Sequence, residues 1–247
     1  YLWGDVEHSM MQTFPYNEDA FGVMRRDHVG INSVKLDFGL QYSHQFGKKH
    51  FVTFGAVFSP GYNLTNSTYN QEIMGSSNAI LSGTTGALTV KETDLDVKNG
   101  LPMTIGLGAA FVYDGRLTVG ADVTYQRWSK VAFMGNEDAF VDKAKVAVGA
   151  EYLPDPIGRS ILKRIKYRAG AYYNAPYYKL DGVRASKEWG VSVGLSVPVM
   201  RSRSYFNISA QYARVNGQTA NFINENQLRV NIGITFNERW FYKTRVN

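Results

Sequence analysis

The stretch that decides the fold is Leu117-Thr118-Val119-Gly120-Ala121-Asp122-Val123-Thr124-Tyr125-Gln126. Leu117, Val119, Ala121, Val123 and Tyr125 fall on one face of an extended chain, and Thr118, Gly120, Asp122, Thr124 and Gln126 on the other. Side chains of a strand alternate between its two faces, so this run is a strand with one apolar and one polar side. The same alternation returns at Leu228–Phe236, Trp189–Val197, Phe206–Tyr212, Leu36–Tyr42 and Val146–Tyr152. No segment of comparable length carries a 3.6-residue stripe. The chain reads as all-β.

Extending the alternation predicts about ten strands, over 1–14, 31–46, 50–59, 102–113, 116–129, 142–153, 165–178, 186–199, 204–215 and 226–237. Their connections alternate in length. Gly47-Lys48-Lys49, Asp114-Gly115 and 200–203 are tight, whereas 15–30, 60–101, 130–141, 179–185 and 216–225 are longer and more polar. Antiparallel pairing of consecutive strands puts the tight turns at one end and the long loops at the other. Pro154–Arg164 is the one longer turn at the tight end, and Asn63–Thr89 reads as the longest and most mobile loop.

Composition removes several alternatives. The chain has 247 residues, of which 44% are hydrophobic and 19% charged, so it is not a disordered polyelectrolyte. Cysteine is absent, which excludes a disulfide scaffold, a thiolate zinc site and a thiol nucleophile. No run approaches the roughly 18 apolar residues of a membrane helix. Strands of about ten residues with one apolar face remain compatible with a membrane, because a tilted strand crosses the hydrocarbon in about 9–11 residues. Closing the sheet pairs every backbone amide, which lipid cannot do. Soluble sandwich strands are usually about 5–6 residues long, and their turns are not sorted by length. The sequence therefore predicts an antiparallel transmembrane β-barrel over 1–237, followed by a periplasmic tail at 238–247. Tyr125, Trp128, Tyr152, Tyr172, Tyr173, Tyr177, Tyr178, Trp189, Trp240, Phe241 and Tyr242 lie near strand ends, where interfacial girdles form.

The formal charge is +6. Lys48, Lys49, Arg116, Arg159, Lys163, Arg164, Lys166, Arg201, Arg203, Arg239, Lys243 and Arg245 gather at the tight-turn end, while the long loops are acidic on balance. A basic rim meeting anionic headgroups explains this better than nucleic acid, since no basic stripe is interleaved with aromatic residues on one face. The partners expected are outer-membrane lipids and lipopolysaccharide, a hydrophobic small-molecule ligand and other outer-membrane subunits, with no nucleic acid.

Signals of chemistry are weak. His8, His28, His44 and His50 form no metal-ligand spacing, although His44 and His50 flank one tight turn. Gly106-Leu107-Gly108 lacks the third glycine and the helix of a dinucleotide site, and marks a crowded wall instead. Neither a catalytic constellation nor a cofactor is predicted, and the chain is not read as an enzyme.

One resemblance is specific. Leu101-Pro102-Met103-Thr104-Ile105-Gly106-Leu107-Gly108 and Arg116-Leu117-Thr118-Val119-Gly120-Ala121-Asp122-Val123-Thr124-Tyr125-Gln126-Arg127-Trp128-Ser129 resemble the FadL/OMPP1/TodX family, above all in the Leu-Pro opening of one strand and the Tyr-x-x-Trp-Ser exit of the next. Lys166-Tyr167-Arg168-Ala169-Gly170-Ala171-Tyr172-Tyr173 looks like a later strand of that family. The ending Leu228–Phe241 looks like Bacteroidota members and is similar to the terminal-strand signal read by the barrel-assembly machinery. The resemblance implies a fourteen-stranded, porin-like barrel in the outer membrane of a Gram-negative bacterium, transporting long-chain fatty acids or other hydrophobic compounds. About ten strands and no N-terminal hatch then imply that the chain is the C-terminal part of a longer member. In that case strand 1–14 pairs with a strand outside this chain.

Asp122, Arg168, Glu188 and Arg229 occupy polar-face positions of four different strands and are the lumen candidates for contacting a ligand. Two function classes follow. One is a channel for hydrophobic solutes, with Arg168 or Arg229 as cationic partner of a carboxylate headgroup. The other is a non-transporting accessory or scaffold barrel in an outer-membrane assembly or secretion complex. A polar, self-paired lumen favours the second, and an apolar pocket continuous with the long loops favours the first.

Overall fold

The computed structural model describes all residues except 15, 18, 19, 84–87, 139, 181, 200–203, 220, 221 and 237–247. The expected tail at 238–247, the tight turn at 200–203 and the girdle residues Trp240, Phe241 and Tyr242 lie outside the described residues.

The strands are β1 (Leu2–Gln12), β2 (Phe21–Ser33), β3 (Phe38–Phe46), β4 (His50–Ser59), β5 (Tyr62–Asn63), β6 (Asn66–Ser76), β7 (Thr89–Asp94), β8 (Gly100–Leu101) and β9 (Met103–Tyr113). They continue as β10 (Leu117–Arg127), β11 (Lys143–Tyr152), β12 (Lys166–Ala175), β13 (Lys179–Leu180), β14 (Val183–Arg184), β15 (Ser186–Pro198), β16 (Tyr205–Gly217) and β17 (Glu225–Thr235). Two short α-helices, α1 (Ser77–Ser82) and α2 (Ile161–Arg164), and a 3-10 turn at Trp128–Lys130 complete the described set. The fold is all-β, and every described ladder is antiparallel.

The chain divides into two compact units. The first comprises Tyr1–Leu36, Pro60–Pro102 and Ser129–Ala139; the second comprises Asp37–Ser59, Met103–Trp128 and Phe140–Asn247.

The second unit is a nine-stranded sheet in the order β17-β16-β15-β12-β11-β10-β9-β4-β3. Turn chemistry sets its hairpins. Asp114 (φ 53) and Gly115 (φ 63) are both left-handed, as a two-residue turn matched to strand twist requires, and Gly47 (φ 61) serves the β3–β4 turn. Cross-strand partners share a face, so the registers align the alternation of every strand. At the tight-turn end the apolar face carries a row running Phe46, His50, Tyr113, Leu117, Tyr152, Tyr167 and Leu195. Near the other end stand Phe38, Phe58, Ile105 and Tyr125, then Tyr173 and Trp189. The span from Leu117 to Tyr125 is about 26 Å along the strand at about 3.3 Å per residue. Between the aromatic rows the face is open and largely aliphatic, with Phe54, Phe111 and Tyr212 among the Val, Leu and Ala side chains. Leu107 is 60% exposed, Val193 63% and Leu228 74%. The buried apolar residues described in this unit are only Ile165, Ala175, Ala185 and Ala213, so no second layer covers the face. An apolar expanse of this size is what a hydrocarbon solvent demands and what water penalises at roughly 25 cal/mol per Å². Among the described residues no ladder joins β3 to β17, the two edges of this sheet.

The first unit is a four-stranded sheet in the order β1-β2-β6-β7, together with the small β5–β8 pair and with α1, which packs on β2 and β6. Here the structure departs from the sequence reading. The segment read as strand 31–46 is the end of β2 followed by the separate β3. β1 pairs with β2, from Leu2↔Ser33 to Gln12↔Val23, most of which the sequence reads as a loop, and the other edge of β1 has no ladder among the described residues. Much of Asn63–Thr89, read as a mobile loop, is β6 and α1, the helix N-capped by the Ser76 hydroxyl accepting from the Ala79 amide and ended by left-handed Gly83. The physical reason is that β2 and β6 alternate polar with polar. Asn99, 1% exposed, donates to Asn66 Oδ1 (3.1 Å) and Thr68 Oγ1 (3.2 Å) and accepts from the Met134 amide (2.9 Å). Asn70 donates to Asp27 at 2.6 Å. Ser77 Oγ accepts from the Phe14 amide and donates to the Ala20 carbonyl, each at 3.0 Å. Hydrogen bonds replace apolar burial as the reason these strands form.

Candidate functional site

The polar face of the nine-stranded sheet gathers the chemistry of this unit. Asp122 stands on it in β10, Arg168 in β12, Glu188 in β15 and Arg229 in β17, as continuous registers require. They do not converge on one point. Each sits in its own local arrangement.

Arg168 lies directly across from Glu151, its Nε donating to Oε2 at 2.6 Å, while Lys166 Nζ donates to Oε1 of the same carboxylate at 3.0 Å. Glu151 therefore takes two cations. Glu188 accepts from the Tyr172 hydroxyl, which in turn accepts from Gln211 Nε2 at 3.0 Å. Tyr172 lies on the polar face because it faces Gly190: a Cβ at Gly190 would come within 2.5 Å of its ring. The ring thus fills the space that the glycine leaves. Arg229 donates to Gln227 on its own strand. Asp122 faces Gly108 and Ala147 and has no hydrogen bond or ion pair among the described residues. A depression of about 570 Å³ runs along the ion-paired region, lined by Thr118, Glu151, Arg168, Ser192, Gln211 and Asn231 among others.

Sequence reasoning placed Tyr172 in a girdle, whereas its neighbour Tyr173 holds that position on the apolar face. The signal that finds Tyr172 is its pairing with a glycine across the ladder, visible only once register is known. Gly106 and Gly108 share the polar face of β9. A Cβ at Gly106 would come within 2.5 Å of Val57, so this wall is crowded at Gly106, whereas Gly108 has ordinary space. His44 and His50 do not meet. His44 packs edge-on against Phe46 at 4.5 Å, and His50 lies beside Tyr113 at 5.0 Å, both in the aromatic row of the apolar face. Among the described residues no group of three or more His, Asp or Glu side chains has metal-binding geometry.

At the long-loop end Trp128 and Tyr177 leave the girdle and stack at 4.1 Å, with Phe140 5.3 Å from Trp128. Arg184 donates to the Pro176 and Asp142 carbonyls, the latter at 2.7 Å, tying two connectors together. The apolar face holds a second depression, of about 620 Å³, bounded by Leu40, Tyr42, Phe54, Ala56, Leu107 and Val123 among others. Alanines form its floor, and these residues belong to the apolar face.

Three comparisons bear on identity. No curated protein sequence matches the chain. The crystal structure of a FadL homologue from Pseudomonas aeruginosa is similar over 92% of this chain and 75% of that one, at 13% identity and a TM-score of 0.35, a level that adds nothing to the fold described above. The family model BamG matches residues 1–247, the whole of the sequence, and the chain accordingly belongs to the BamG family of outer-membrane β-barrel proteins.

Proposed function

We propose that this chain is an accessory, non-catalytic barrel subunit of an outer-membrane complex that assembles or secretes other proteins. The family name is the first support, since it points to the assembly proteins of that membrane. The observation that carries the reading is the state of the polar face. Glu151 is held by Lys166 and Arg168, and Glu188 by Tyr172, so the charges stabilise the wall. A channel that captures a carboxylate needs a cation aimed at the solute and an apolar lining beside it. Here one apolar depression lies on the opposite face, and the one on the polar face, beside Val57, Ala110 and Asp122, is lined by no cation. Partly exposed ion pairs of this kind contribute at most about 1 kcal/mol each, but they neutralise buried-side charge without any ligand.

The test is an affinity-tagged copy of the full-length protein, purified from native membranes. This reading expects co-purification of outer-membrane assembly components, fewer correctly folded barrels on depletion, and unchanged uptake of a long-chain fatty acid. Recovery of the tagged protein alone, with uptake abolished on depletion, would contradict it. The competing transport reading rests on the sequence resemblance and isolates one residue: Arg229→Glu then abolishes uptake while heat-modifiability and abundance stay normal.

A further inference from the structure

Within its strands, the apolar face of the nine-stranded sheet carries fixed charge at only three described positions, Arg127, Lys187 and Arg214; just before β11 the Asp142 carboxylate accepts from the Tyr125 hydroxyl of this face. All three are cations, and all three stand at the long-loop ends of their strands. The tight-turn end of the same face, with its row of Phe46, His50, Tyr113, Tyr152 and Tyr167, has none among the described strand residues. Plain snorkelling of long basic side chains would decorate both rims. Among the described strand residues only one is decorated.

Lys187 and Arg214 form a pair. Lys187 faces Asn216 across the β15–β16 ladder, and Arg214 faces Trp189, two residues further along. That diagonal separation is about 7–8 Å, which two long side chains span with a phosphate-sized group between them. Both side chains are exposed. Arg214 Nε donates to Asn216 Oδ1 at 2.9 Å, which orients the guanidinium and leaves its two terminal nitrogens without a hydrogen bond among the described residues. Lys187 has no hydrogen bond or ion pair among them. No acid shares this face on β12, β15, β16 or β17, and Glu188 and Glu225 point to the polar side. Beneath the two cations lie Trp189 and Tyr212, in edge contact at 5.9 Å, and beneath those the open aliphatic surface of Val191, Val193, Leu228 and Val230. A planar fork, a flexible ammonium, an aromatic shelf and an apolar wall together describe the complement of a phosphorylated headgroup with acyl chains attached.

We infer that Lys187 and Arg214 hold the phosphate of a glycolipid in the outer leaflet, with its acyl chains lying along Val191, Val193 and Leu228. Short turns face the periplasm in outer-membrane barrels and long loops face outside, so the pair sits at the outer-leaflet headgroup level. The phosphate accepts from both cations, and among the described strand residues the apolar face of the tight-turn rim, which meets the inner leaflet, holds no equivalent.

The experiment uses the full-length protein purified in detergent, with native mass spectrometry to count retained lipid and two probes, diphosphorylated lipid A and its phosphate-free form. Wild-type protein is expected to retain the diphosphorylated form about tenfold better or more, as loss of charge-assisted contacts predicts. K187Q/R214Q removes that preference, whereas K187R/R214K and the tight-turn pair K48Q/K49Q keep it. Equal retention of the two lipids by wild-type protein overturns the proposal without reference to any variant. So does a K187Q/R214Q protein that is heat-modifiable and still prefers the phosphorylated lipid.

Discussion

The four-stranded sheet and the nine-stranded sheet of this chain are built by opposite means. The first hides polar groups: Asn99, Thr68, Asn70 and Ser77 are buried and satisfied by one another or by backbone. The second displays apolar groups, and its charges stand on the other face, where Glu151 pairs with Lys166 and Arg168, or at one rim. Each arrangement costs free energy in the solvent that suits the other. Buried amides need partners wherever they lie, whereas an open face of valine and leucine is at ease only against hydrocarbon. The difference teaches that the first sheet is held by a hydrogen-bond network and the second by its surroundings.

The comparison breaks most easily at Asn99. Replacing it with leucine orphans the Met134 amide, at about 2 kcal/mol, and takes one hydrogen bond each from Asn66 and Thr68, at about 1 kcal/mol apiece. Those two keep the 2.8 Å bond between them. The expected total, about 4 kcal/mol, is read as a lowered midpoint of chemical unfolding with the nine-stranded sheet still protected from proteolysis. Val193→Arg comes next. A guanidinium in the middle of the apolar face costs about 2–4 kcal/mol in a bilayer, and the same change at Ser192, its polar-face neighbour, costs far less. Reconstitution yields into vesicles compare the two. Gly190→Val is expected to cost about 2 kcal/mol by driving a side chain into the Tyr172 ring; adding Tyr172→Ala should relieve most of it. Smallest is Arg168→Gln, under about 1 kcal/mol, because this guanidinium is 47% exposed and Lys166 still holds Glu151.

Orientation sharpens the same comparison. With long loops outside, a cysteine at the exposed Ile223, in the β16–β17 connector, is labelled by an impermeant reagent on intact cells, whereas one at Lys48 is not. The reverse pattern inverts the topology and with it the leaflet assigned to Lys187 and Arg214.

What the residues disclose beforehand follows the same division. Strands of the nine-stranded sheet are legible because alternation of Val, Leu, Ile and aromatic residues with Gly, Ser and Thr survives any error of a residue or two at the ends. The faces of Asp122, Arg168, Glu188 and Arg229 follow from that parity alone. Their partners do not. Glu151 meets Arg168, and Tyr172 meets Gly190, only through registers that hairpin geometry decides. β2 and β6 escape the periodicity because the positions that would be apolar are filled by Asp27, Thr68 and Asn70, which hydrogen bonds bury instead. β1 is legible as a strand within 1–14, but its pairing is not. Its partner was one of the strands that went unread.

The central claim is that the Trp189, Val191 and Val193 side of the large sheet faces lipid. It is tested most directly by a nitroxide scan along β15, from Ser186 to Pro198, in the reconstituted full-length protein. The account predicts collision with oxygen peaking at Val191, Val193 and Leu195 and collision with a water-soluble nickel chelate peaking at Gly190, Ser192 and Gly194, with a period of two. A scan without that period, or with the two quenchers exchanged, would contradict it.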